Sequence, residues 1–180
     1  YTATQQIMLA DLKIDGKVRK VAMQAPKNGF FYVIDRTNGK FISAEPFAYQ
    51  NWAEGIDYKT GRPIEKPNVR YENGPALIIP SGIGAHAWMP MSYSPKTGLV
   101  YIPAMEHPLV YSDAKPFEIH PGRWNTAVSF LDPPKLPGLP DTIEGRRKAL
   151  EGMGKGKLVA YDPVTQKPKW EIKRDWPWNG

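Results

Sequence analysis

An all-β fold made of small antiparallel sheets is what this sequence predicts, on three observations. Its 180 residues include 19 prolines and 16 glycines, enough turn formers to divide the chain into many short elements. Long apolar stretches are few, which argues against a helical bundle. One strand, turn, strand pattern also recurs along the chain.

The pattern first shows in the short apolar runs 20–24 and 30–35. Between them lies Ala25-Pro26-Lys27-Asn28-Gly29, a Pro and Asn-Gly turn signal, so the two runs are expected to form a hairpin. The second run enters Asp35-Arg36-Thr37-Asn38-Gly39-Lys40 and leaves as Phe41-Ile42-Ser43, again strand, tight turn and strand. The same grammar returns over 92–102 and 158–170, with a weaker echo over 55–61. Recurrence of one hairpin type points to a β-propeller, in which each blade is a small antiparallel sheet buried by stacking on its neighbours. At roughly 40 to 50 residues per blade, 180 residues hold about three or four.

On this reading residues 1–180 are one partial propeller domain. A long loop excursion over about 109–156 interrupts the blades. Its one helical candidate is 141–151, with Asp141 as N-cap and Glu144 as capping-box partner. Tyr1 is not an initiating Met, and Trp176-Pro177-Trp178-Asn179-Gly180 stops on an aromatic turn, so both ends are read as cuts through a longer protein.

The formal charge of +6 does not make a nucleic-acid surface, because Lys and Arg are scattered through turns and interrupted by Asp and Glu. A basic protein does suit an acidic electron-acceptor protein, since opposite charges steer encounter. With no cysteine, the chain offers no disulfide, thiolate nucleophile, c-type haem attachment or cysteine zinc site. No apolar run approaches the roughly 20 residues needed to span a bilayer, and the first residues do not read as a signal peptide.

Catalytic motifs of the commoner kinds are absent from the sequence: it has no Gly-x-Ser-x-Gly elbow, P-loop or dinucleotide fingerprint. His86, His107 and His120 lack metal-ligand spacing, and His86 reads as a hydrogen-bonded structural histidine. Asp11, Asp15, Asp35, Asp57, Glu45 and Glu54 lie in or beside expected turns, where carboxylates cap the backbone. No residue of the chain is therefore assigned a catalytic or metal-ligand role.

Residues 160–170 spell AYDPVTQKPKW, which resembles the tryptophan-docking motif of quinoprotein propellers, with Gln166 where the motif has Gly. Segments YTATQQIMLADLKIDGK, APKNGFFYVIDRTNGKFISAEPF, NWAEGIDYKTGRP, PSGIGAHAWMPMSYSPKTGLVYIPA and PWNG extend the likeness over nearly the whole chain. Together they resemble the quinoprotein alcohol (ethanol) dehydrogenases, simple and haem-bearing. The resemblance implies an eight-bladed, periplasmic propeller with pyrroloquinoline quinone (PQQ) on its axis and calcium, or in some relatives a lanthanide, beside it. It implies oxidation of primary alcohols to aldehydes, with electrons passed to a cytochrome c or similar acceptor. Haem c is implied only where a further domain is present.

Carried over by position, the resemblance makes Lys27 the cation that hydrogen-bonds the quinone oxygens and Trp88 an aromatic wall of the cofactor site. Ala87 stands where the family pattern has Asn. Trp178 and Asn179 match an aromatic turn near the quinone. The family's general-base Asp directly precedes the segment matching Tyr1, and its metal ligands lie further upstream, so the chain alone is expected to be catalytically incompetent. A propeller scaffold for protein binding or assembly is the alternative, and Ala87 is the observation in its favour.

Overall fold

The computed structural model describes residues 1–113, 117–123, 125–126, 128 and 132–176. Two four-stranded antiparallel sheets dominate it. The first is a meander of β1 (Met8–Ile14), β2 (Lys17–Gln24), β3 (Phe30–Asp35) and β4 (Phe41–Pro46). After it come the hairpin β5 (Ala53–Asp57) and β6 (Arg62–Glu65), then β7 (Ala76–Ile78). The second sheet begins with β8 (Ser92–Ser94) and β9 (Leu99–Glu106). The chain then leaves through β10 (Leu109–Tyr111) and α1 (Ile143–Met153), and returns as β11 (Lys155–Asp162) and β12 (Lys167–Arg174), giving the order β12-β11-β9-β8.

The expected hairpins over 20–35, 30–43, 92–102 and 158–170 are all present, and so is the one at 55–61. Four of the five turns, all but the one at 25–29, share one five-residue geometry. The amides of Gly39, Gly61, Gly98 and Gln166 donate to the carbonyls of Asp35, Asp57, Ser94 and Asp162, at 2.7 to 2.9 Å. The fifth residue is left-handed each time, with φ of +73°, +68°, +70° and +57°. At the first position an Asp or Ser oxygen accepts from amides inside the turn, as Asp35 Oδ1 does from Thr37 N at 2.9 Å.

Four details differ from the sequence reading. The β1–β2 hairpin was not anticipated; it turns on Asp15 and Gly16, both at positive φ, the geometry a two-residue loop requires. Four-stranded blades number two among the described residues rather than three or four, because much of the chain between them forms the two-stranded ladders β5–β6 and β7–β10. The 109–156 excursion is not wholly loop: Leu109, Val110 and Tyr111 pair with Ile78, Leu77 and Ala76, and β11 begins at Lys155. The helix N-cap is Thr142 rather than Asp141, since the Thr142 hydroxyl accepts from Gly145 N at 3.1 Å. Glu144 then falls one residue short of the capping-box position and lies 3.9 Å from Arg147 instead.

The excursion is pinned by Arg146. Its buried guanidinium donates to the carbonyls of Pro133, Pro140 and Asp141 at 2.7, 3.2 and 2.6 Å. The two large sheets share one core: Leu12, Val21, Met23, Phe31 and Val33 of the first pack with Val100, Ile102, Val159 and Tyr161 of the second. Phe31 and Tyr161 meet across it with ring centroids 5.0 Å apart. Blade-on-blade packing of this kind is what the sequence repeats require.

Candidate functional site

The turn at residues 25–29 projects Lys27, and every one of its backbone carbonyls has a partner. Ala25 O receives the His86 ring at 2.7 Å, Pro26 O the Gly29 amide at 3.4 Å, and Lys27 O the Ala85 amide at 2.8 Å. Asn28 O receives Trp52 Nε1 and Gly29 O the Phe47 amide, both at 2.9 Å. Asn28 Oδ1 in addition accepts from Phe30 N at 3.1 Å. Such a turn is rigid, since moving it breaks bonds to Phe47, to Trp52 and to the 85–86 segment.

Segment 81–89 runs beside this turn and carries Trp88. Ala85 ties it to β9, where Met105 N donates to Ala85 O at 2.7 Å. Gly84, at φ +100°, is where it meets Lys27. A Cβ on Gly84 would fall 2.4 Å from Lys27 Cγ and 2.6 Å from its Cβ, so the missing side chain makes a cradle for the lysine stem. The ammonium itself has no ion-pair or hydrogen-bond partner among the described residues. Trp88 is 74% exposed and belongs to neither hydrophobic core. A half-buried unpaired cation and an exposed aromatic, carried on adjoining segments, suit a flat anionic or quinonoid ligand.

Ala87 is buried at 1% exposure and offers only a methyl group. Trp178 and Asn179 lie outside the described residues. Trp170 of the docking-like motif stands opposite Ala160 in the β11–β12 pairing and meets Tyr101 at 5.9 Å. Gln166 keeps the left-handed turn and puts its side chain to use: Oε1 accepts from Glu45 N on β4 at 3.0 Å, joining the two sheets.

The carboxylates serve structure. Asp35 is held below the usual carboxylate range by hydrogen bonds from the Thr37 side chain and amide, and Asp57 by those from Lys59 N and the Thr60 hydroxyl. Asp11 lies within β1 rather than beside a turn and pairs with Arg36 at 3.1 Å. Among the described residues no three His, Asp or Glu side chains cluster as metal ligands would. His86 is fully buried, as its structural reading expects.

Sequence reasoning missed Gln5, whose Nε2 donates to His86 O at 2.7 Å while Gln24 Nε2 donates to Gln5 O at 2.8 Å. An uncharged glutamine in a short irregular segment carries no sequence signal for such a role. Tyr1 was likewise not foreseen; its ring meets that of Trp52 at 5.2 Å in a tilted arrangement, and its hydroxyl donates to Pro80 O at 2.5 Å. Together Tyr1, Trp52 and Tyr111 line a cleft of about 390 Å³ that reaches Asn28, beside Lys27.

No family model matches the chain. Over 180 residues it is 51% identical to the quinohemoprotein alcohol dehydrogenase ADH IIB of Pseudomonas putida, covering 100% of this chain and 24% of that protein. It is 42% identical over 183 residues to the 1-butanol dehydrogenase (cytochrome c) of Thauera butanivorans, again 100% of this chain and 25% of the relative. Its backbone matches the crystal structure of the quinohemoprotein alcohol dehydrogenase of Comamonas testosteroni with a TM-score of 0.81 at 45% identity, over 100% of this chain and 26% of that one. The chain thus spans about a quarter of the length of the curated relatives it matches.

Proposed function

The chain belongs to the quinoprotein alcohol dehydrogenase family, and we propose that in the whole protein it builds one wall of a PQQ site that oxidises primary alcohols to aldehydes. The observation that carries this reading is the unpaired Lys27, seated on Gly84 at a turn whose carbonyls are all occupied.

Its ammonium would donate to the quinone oxygens and stabilise the negative charge that grows on them during reduction. Trp88 would cover the flat face of the ring and keep water from it. Ala87 would add only a van der Waals contact where Asn adds a polar one, which narrows the polar grip on the cofactor. Bound there, PQQ supplies the two-electron chemistry that no side chain of this chain can. Trp178 and Asn179 are proposed to close the site from the following blade.

Calcium, or a lanthanide, and the general-base carboxylate are proposed to come with the rest of the protein, so the 180 residues alone are expected to show no turnover. The remaining blades would cover apolar side chains left exposed at the sheet edges, such as Leu9 on β1 and Ile172 on β12. A cytochrome-type electron acceptor is supported by the name of the butanol-oxidising relative and by the +6 charge. A periplasmic location, and haem c if a further domain is present, complete the proposal.

Titrating PQQ into the cofactor-free whole protein with calcium present, followed by quinone absorbance and tryptophan fluorescence, tests it. Lys27→Ala should weaken binding by about 10- to 100-fold, the worth of a charge-assisted hydrogen bond or two. Trp88→Ala should weaken it as well. A folded whole protein that does not bind PQQ would favour the scaffold reading, for which Ala87 speaks.

A further inference from the structure

His86 belongs to the segment that carries Trp88, and its ring reaches across to the turn that carries Lys27. Its ring Nδ1 lies 2.7 Å from the carbonyl oxygen of Ala25, two residues before Lys27, and its Nε2 lies 2.6 Å from that of Met89, one residue after Trp88. Both neighbours are pure acceptors. A neutral imidazole has one N–H, so one of these short contacts would set a nitrogen lone pair against an oxygen lone pair.

We infer that His86 is a positioning residue that fixes the Lys27 turn relative to the Trp88 segment. Burial outweighs the carbonyls of Ala25 and Met89 and holds its proton affinity below the ordinary histidine value. The contact that crosses between the two segments is the one from Nδ1 to the Ala25 carbonyl. The strap is itself held: Gln5 Nε2 donates to His86 O at 2.7 Å, and Ala85 N to Lys27 O at 2.8 Å. Precision in a binding site comes from such supporting bonds behind the contacting groups.

This inference rests on the proposed quinone site for its functional part but not for its structural part, and two measurements separate them. In the cofactor-free whole protein labelled with ¹⁵N-histidine, His86 should carry a proton on Nδ1, the nitrogen that faces the Ala25 carbonyl; an unprotonated Nδ1 would overturn the inference whatever the protein binds. Then PQQ dissociation constants are compared for wild type, Lys27→Ala, and Lys27→Ala with Trp88→Ala, each with and without His86→Gln. A glutamine amide reaches only one of the two carbonyls as a donor, so His86→Gln should weaken binding about tenfold. Added to Lys27→Ala, His86→Gln should cost clearly less than it does alone, and added to Lys27→Ala with Trp88→Ala it should cost less than about threefold, because the groups it positions are already gone. Fully multiplicative losses would mean that His86 only stabilises the fold, and would overturn its positioning role. If Lys27→Ala leaves PQQ binding untouched, the quinone reading fails while the nitrogen spectrum still reports on the strap. Should His86→Gln not fold, the nitrogen spectrum decides the protonation and His86→Asn replaces it in the cycle.

Discussion

At the scale of single residues, Gln166 shows how a departure from a motif can be absorbed. A non-glycine residue at φ +57° carries a cost of about 1 kcal/mol, yet the side chain crosses to Glu45 N and also bonds Pro163 O at 3.0 Å. Gln166→Ala keeps the strain and loses the bonds, so it should destabilise by about 2 kcal/mol, whereas Gln166→Gly relieves the strain and should cost about 1 kcal/mol or less. Denaturant midpoints of the two variants check this order; equal losses would mean that the cross-sheet bond contributes nothing. The position was legible in the sequence, because the motif calls for glycine there, but the compensating bond was not. It depends on Glu45, 121 residues away in sequence. Lys27 was legible through its APKNGFF surroundings, while its seat on Gly84 depends on a contact between two loops that no local pattern announces.

At the scale of elements, the hairpins were legible because most turns state their own chemistry: an Asp or Ser to accept, then glycine at the left-handed position, with Gln166 in its place once. Asp35 and Asp57 carry a pH dependence with a definite sign. Their folded carboxyls are held below the usual range, by bonds from Thr37 and from Lys59 and Thr60 respectively. Their contribution is therefore present above the unfolded value of about 3.9 and is lost as pH falls through the lower folded value. Replacing both by Asn should flatten the acid limb of a stability-versus-pH curve below about pH 4 and leave its slope near neutrality unchanged. An unaltered acid limb would contradict the assigned bonds. What was not legible is telling: β10 is only three residues long, and it is a strand because the edge of β7 is there to receive it. The helix start slipped by one residue because Asp141 and Thr142 are both good N-caps, and Asp141 O is needed as an acceptor for Arg146.

At the scale of the whole molecule, the two four-stranded sheets are joined by the larger core, which lies between them. Phe31 is fully buried and faces Tyr161 across the interface. Phe31→Ala should destabilise by about 3–5 kcal/mol and lower the unfolding midpoints of both sheets together, as seen by hydrogen exchange. Loss of one sheet with the other intact would show that the blades fold separately. The repeat was visible in the sequence, but the number of blades was not, since length alone cannot tell strands of a blade from ladders beside it. The proposed cofactor site is a property of this scale too, for it joins a turn of the first sheet to the segment that leads into the second. The most direct test is a crystal structure of the whole protein with PQQ bound. Lys27 Nζ is expected within about 2.7–3.2 Å of a quinone oxygen, with the Trp88 ring over the cofactor plane; PQQ bound away from both residues would contradict the proposed site.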